Sequence, residues 1–449
     1  MRLSIMNLEG LDEVEGELAG QGVSAAESAA AVATEFVEGP EAAMAEVETE
    51  ADDIEGLLED GEKAEAVADK VGEMKEGLEK VVAEDGGLTE STAEVVTVAL
   101  EALRISIGMG PMNKALVPSF ESFRDKTTAA ESTHLIMEGF TDTIKRIWAA
   151  LVNMVSVIKE KIKAFFAAML DAAERTRQRA VKLAAVAKSR SGGKPSADAK
   201  VKINGGVLNV DGTVVAGSAF LGKLKEHYKT TQVGAQNQLL AGFKEAGQKM
   251  IKAVGLINDE EKHNEMLFGA MSDLTTTANN EVGKKFVFGQ VGIVAVENAG
   301  LIAKVKPVSI SIKKLEAAKE VKTEEVSPLT ADEAFKACNE MSEHLAGYKA
   351  VTEVIKRVNE IMDGVTAAAK AGAAAASKAK DEKGAAAAND IRKASSQLLA
   401  NTNMAVTSLR RYDLQVTGAA LDYIANSLKT VKGKGDGKPE NLLPAPDKS

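Results

Sequence analysis

The sequence predicts a mainly α protein, with long amphipathic helices and a small central β element in an α+β arrangement. Three observations carry that expectation. Hydrophobic residues make up 45% of the 449-residue chain and aromatics only 4%, with alanine filling much of the rest. Such a composition suits helices packed through small side chains better than β-sandwiches or a roomy ligand pocket. Apolar residues at 137, 140, 144, 147, 148, 151, 155, 158, 162, 165, 166 and 169 step by three and four, the period of one helix face. Two later stretches rich in β-branched residues, the first broken by Asn-Gly-Gly and Asp-Gly, read as strands with tight turns.

Taken in order, residues 1 to about 20 hold frequent Gly, Glu and Asp with no apolar period and read as disordered. From Ser24 to about Lys80 the chain is Ala/Glu/Val-rich, with glycines at 39, 56, 61, 72 and 77. Weak helices with a thin apolar stripe are expected there, packing late or on a partner. TESTAEVVTVALEALRISIGMG then sets Val95, Val96, Val98, Leu100, Leu103 and Ile105 on one face, with Ser91 or Thr92 as cap and Gly108 to Pro111 as the stop. A loop carrying PSFESF (118–123) leads into the strongest helical signal, residues 132 to 186. Unbroken, that helix runs roughly 80 Å. Ile144, Ile147, Trp148, Leu151, Val155, Ile158, Ile162 and Phe165 form its packing face, with Lys145, Arg146, Lys159, Lys161 and Lys163 set between them.

SRSGGKPS (189–196) is a linker. VKINGGVLNVDGTVVAG is the first β segment, and residues 218–280 return to helix with breaks near Gly255 and Asn258. The second β segment, 284–317, is expected to pair with the first in a small sheet. Helices over about 331–370 and 384–430 flank an Ala-rich stretch, and the last residues read as disordered. The divisions are therefore an acidic, weakly helical segment 1–121, a long basic amphipathic helix 122–190, an α+β middle domain 191–330, a C-terminal helical hairpin 331–431 and a tail 432–449.

Charge is distributed unevenly. Residues 1–121 hold 29 Asp/Glu and 7 Lys/Arg, a net of -22, while residues 122–449 hold 37 and 48, a net of +11. Such asymmetry marks a segment with its own job. An acidic N-terminal propeptide covering a basic body is one reading, and a solvated acidic tail is the plainer one. The single Cys338 gives no intrachain disulfide. The acidic N-terminus lacks the pattern of a secretory signal, and a soluble protein made in a reducing cytoplasm is expected. No two of His134, His227, His263 and His344 have metal-ligand spacing, and no phosphate loop or nucleophile elbow occurs. The residues point to no catalytic site, no metal and no cofactor.

The block from Val95 to Met169 resembles internal head proteins of large tailed bacteriophages. The shared elements are Ala99-Leu100-Glu101, then Pro118, Ser119, Glu121, Ser122 and Phe123, then Met137, Glu138, Gly139, Ile144, Lys145, Ile147 and Trp148. They cover roughly a sixth of the chain. The resemblance implies a virion protein held inside the capsid, with no small-molecule substrate. Its implied partners are a prohead protease that cuts it and capsid or scaffold proteins. The basic body adds non-specific DNA through counterion release, and further copies of the chain are another candidate partner. Such proteases cut after glutamate in a small-or-aliphatic-x-Glu context. Ser119-Phe120-Glu121, with Ser122 as the new N-terminus, fits the small form. Ile136-Met137-Glu138 before Gly139 fits the aliphatic form, and Ala99-Leu100-Glu101 and Ala129-Ala130-Glu131 are further candidates. Glu121 is set apart by its Pro-bearing loop, where extended backbone is expected, and by its place at the change of charge sign. The alternatives are an uncut adaptor protein of the virion and a membrane-active helical protein using the basic amphipathic helix.

Overall fold

A computed structural model describes residues 38–431, apart from 125, 231–235, 257–258, 299, 317 and 379–381. The segments read as disordered, 1–20 and 432–449, lie outside the described residues. The acidic segment does not break up at its glycines. It forms one 48-residue helix, α1 (Glu38–Asp85). A thin stripe of Val47, Ala51, Ile54, Val67, Val71 and Leu78 is buried along it, and this burial offsets the roughly 1 kcal/mol that each helical glycine costs. At Gly61 the α1 backbone faces the Met154 side chain of the long helix at close range, since an added Cβ there would lie 2.6 Å from Met154 Cε.

Helix α2 (Glu90–Ser106) is capped by Thr89, whose Oγ1 accepts from the Thr92 amide, rather than by Ser91 or Thr92. Its apolar residues do not share one face. Leu100 is buried, whereas Val95, Val98 and Ile105 are exposed. A 3-10 turn (Lys114–Leu116) and a second one (Phe120–Arg124) lead into α3 (Lys126–Ser189), 64 residues long and so about 96 Å from end to end. Neighbours pack along most of it.

The β segments pair differently from expectation. Strand β1 (Val201–Ile203) pairs antiparallel with β6 (Glu324–Val326). Strands β2 (Asn209–Val210) and β3 (Thr213–Val214) form a hairpin whose turn, Asp211-Gly212, has both φ angles positive, as that tight turn requires. Strands β4 (Val291–Glu297) and β5 (Val308–Lys314) pair only with each other. The expected sheet joining first to second β segment is thus replaced by three two-stranded pairs among the described residues. Where the segments do meet, the Gly289 amide donates to the Asn209 carbonyl at 2.9 Å.

Between the strands lie α4 (Ser218–Thr230), α5 (Gln236–Gly255) and α6 (Glu260–Glu281), the last capped by Asp259. The C-terminal part is α7 (Ala331–Ala346), opened by a Thr330–Glu333 capping box, then α8 (Val351–Lys378) and α9 (Glu382–Asn403). A single π turn (Met404–Ser408) joins α9 to α10 (Leu409–Thr430). The helix expected over 331–370 is interrupted at Gly347–Ala350 by a 3-10 turn.

Two apolar cores result. The larger combines the N-terminal half of α1, the C-terminal half of α3 and the helices and strands that follow. The smaller is built from the C-terminal half of α1, Leu88, Ala93, Leu100, Met112, Phe123 and the start of α3 through Leu151.

Candidate functional site

Three features could carry function: the turn holding Glu121, the contact between α1 and the basic body, and a buried carboxylate. At the turn, Ser119 and Glu121 are exposed, Phe120 and Ser122 are half-buried, and Phe123 anchors the segment in the smaller core. The backbone is not extended as its proline suggested. It makes a 3-10 turn in which the Ser122 amide donates to the Ser119 carbonyl at 3.0 Å. The Ser122 hydroxyl also donates to that carbonyl at 2.6 Å, and Thr128 Oγ1 donates to the Ser122 carbonyl at 2.6 Å. One turn therefore has to open before a protease can hold the 121–122 bond as a strand.

The other candidate bonds lie inside helices. Ala99, Leu100 and Glu101 sit within α2, and Leu100 is fully buried. Ile136, Met137, Glu138 and Gly139 sit within α3, where Ile136 is fully buried and Gly139 abuts Met112, whose Sδ would lie 2.8 Å from an added Cβ. Glu131 is exposed but lies on the same helix, beside buried Ala129 and Ser132. The packing face of α3 is buried at Ile147, Trp148, Leu151, Val155, Ile158, Ile162 and Phe165, with Ile144 half-buried.

Arg146, Lys159, Lys161 and Lys163, set between those positions, are paired. Lys159 pairs with Asp363, Lys163 with Glu160 at 2.7 Å and Arg146 with Asp142 at 2.9 Å. Lys161 reaches Glu50 at 3.2 Å and Asp53 at 2.7 Å, both on α1. Helix α1 covers cations on two more helices: Arg392 and Lys393 of α9 meet Asp69 at 2.7 and 2.8 Å, and Arg411 of α10 meets Asp52 at 3.1 Å. Arg392, with only 3% of its side chain exposed, also lies 3.2 Å from Glu65. Burial is the main influence on the Glu65 carboxyl and pushes it above the usual range, against the pull of Arg392. The acidic segment is thus laid along a seam of basic side chains on the body. Magnitudes say what holds it there. Each exposed ion pair contributes about 0–1 kcal/mol, whereas each buried Val, Ile or Leu of the α1 stripe contributes about 1.5–3 kcal/mol.

The buried carboxylate is Asp413, 1% exposed and brought to the junction of three helices. His227 Nε2 of α4 lies 3.1 Å from Oδ1, and His344 Nε2 of α7 lies 2.9 Å from Oδ2. The Tyr348 hydroxyl donates to the same Oδ2. The Tyr228 ring stacks on His344 at 3.7 Å, and the Arg410 guanidinium lies over the Tyr348 ring at 4.6 Å. Burial would push the Asp413 carboxyl up, but the two imidazoles outweigh it and hold it well below the usual carboxylate range. Sequence spacing missed this cluster, because positions 227, 344 and 413 share no motif. Its buried donors and acceptor serve to tie α4, α7 and α10 together. Among the described residues, no group of three or more His, Cys, Asp or Glu is placed to hold a metal ion. Nor is any described helix long and apolar enough to cross a membrane.

Compared with known proteins, residues 41–426 match the family described as phiKZ-like phage internal head proteins. No curated protein and no solved structure matches the chain.

Proposed function

Because the chain belongs to the family of phiKZ-like phage internal head proteins, structural components of the virion held inside the capsid, we propose that it is packaged as a precursor and matured by cutting after Glu121. It acts as a non-enzymatic filler and DNA companion in the head, with shell or scaffold proteins as neighbours during assembly. The observation that carries this reading is the position of Glu121. It is exposed in a short turn between helices, at the point where a segment of net charge -22 gives way to a body of +11. The cut there requires opening one turn, whereas cutting at Glu101 or Glu138 requires unwinding a packed helix. A body of positive net charge gains affinity for phosphates through counterion release, without reading sequence.

The experiment is intact mass and N-terminal sequencing of this protein from native particles, beside the freshly expressed chain. A species beginning at Ser122 is expected, with Glu121→Gln leaving the particle protein uncut at that bond. A chain of full-length mass in mature particles, with no species beginning at Ser122, overturns the maturation reading and leaves the acidic helix as a permanent arm.

A further inference from the structure

We infer that the groove formed by α3, α9 and α10 is a docking site for an acidic amphipathic helix, and that residues 38–121 stay seated there as a non-covalent subunit after the 121–122 bond is cut. The inference deepens the maturation reading above and rests on it only for which bond is cut.

The groove has two kinds of lining. Its floor is apolar, and Val47, Ile54, Val67 and Val71 of α1 are buried against it. Its rim is basic, with Lys161, Arg392, Lys393 and Arg411 each facing a carboxylate of α1. A floor of this kind excludes a nucleic acid backbone as the best-fitting occupant, since phosphates and sugars leave apolar surface uncovered. An acidic helix with one apolar stripe satisfies both linings, and the chain supplies one.

A second anchorage lies between α1 and the cut. The Leu88 amide donates to Thr133 Oγ1 at 3.0 Å, and Arg104, 1% exposed, donates to Thr143 Oγ1 at 2.7 Å. Leu88, Leu100 and Met112 complete the smaller core with residues of α3. All these contacts join residues before 121 to residues of α3 after it, and none involves the 121–122 bond, so breaking that bond removes none of them. The cut frees one tether and leaves two cores intact. Reversal of charge then needs a second event that pulls the acidic segment away.

The test uses the full chain with a site-specific protease sequence inserted after Ser119, purified and cut in vitro, which makes it independent of whether any phage protease acts at Glu121. Gel filtration and native mass spectrometry at near-physiological salt should show both pieces in one species at one-to-one stoichiometry. An acidic piece that elutes apart from the body overturns the inference. The double variant Ile54→Asp, Val71→Asp, cut in the same way, should lose its acidic piece. Retention equal to that of the unsubstituted chain means the apolar floor is not what holds the helix, and the inference fails. Duplex DNA added to the cut complex should leave the acidic piece bound. Its displacement by DNA would mark the groove as a phosphate site instead.

Discussion

At Asp413 the fold relies on a buried charge that has been fully satisfied. Three donors converge on it, His227 from α4, His344 from α7 and Tyr348 from the 3-10 turn after α7, and removing one partner of such a set leaves the remainder buried without compensation. Asp413→Asn is therefore expected to cost about 3–5 kcal/mol in denaturant unfolding. The pH dependence follows from the depressed carboxyl. Its stabilisation is complete above the unfolded-chain value, the ordinary 3.8, and is lost as pH falls through the lower folded value. Unfolding curves from pH 7 down to pH 2 should show the unsubstituted chain losing stability at the acid end. In the Asn variant this part of the slope should be absent. Cys338 gives a second residue-scale expectation. Burial pushes its thiol up to about 12, so it should resist a thiol reagent at pH 8 until the chain is unfolded. Reaction at the rate of a free thiol in the native protein would contradict the buried position. Neither residue announced itself in the sequence. A lone cysteine and scattered histidines carry no spacing signal, and tertiary convergence alone gives them their chemistry.

At the scale of elements, what the sequence makes legible depends on whether the signal is local. The α3 stripe is legible because twelve apolar positions keep one helical period across residues 137 to 169, and the Asp-Gly turn of the β2–β3 hairpin is legible because it needs positive φ at two successive positions. Helix α1 is less legible for the opposite reason. Its glycines lower local propensity, and the partner surface that overrides them lies about a hundred residues further along the chain. The pairing of β1 with β6 rather than with the nearer β4 or β5 is likewise non-local, since strands of two or three residues hold almost no register information. The glycines of α1 also separate two physical roles. Gly72 has open space around its missing Cβ, so Gly72→Ala should stabilise by about 0.5–1 kcal/mol through helix propensity. Gly61 faces Met154 at close range, so Gly61→Leu should destabilise by about 1–3 kcal/mol through overpacking. Thermal unfolding of the two variants should move the melting temperature in opposite directions; shifts of the same sign would mean that α1 does not lie on α3 at Gly61.

For the molecule as a whole, the charge asymmetry that was plain in the sequence acquires a geometry. The acidic segment is placed on the body, with its carboxylates against Lys161, Arg392, Lys393 and Arg411, so the two opposite charges partly cancel at short range. DNA affinity should then follow the presence of the acidic segment rather than the state of the 121–122 bond. The full chain and the freshly cut complex are expected to bind duplex DNA about equally weakly. The Ile54→Asp, Val71→Asp chain, once cut and freed of its acidic piece, should bind more tightly, with log affinity falling linearly against log salt concentration. Each phosphate neutralised adds about 0.9 to that slope. Replacing Lys161, Lys393 and Arg411 by Gln in this background should reduce the slope by about 2 to 3 if all three contact phosphates. The three have no base edges to read in such a role, so the loss should be the same on unrelated DNA sequences. Tight DNA binding by the uncut chain would mean that the seam is not where phosphates meet the body and that a different basic face, one left open in the precursor, serves the packaged genome.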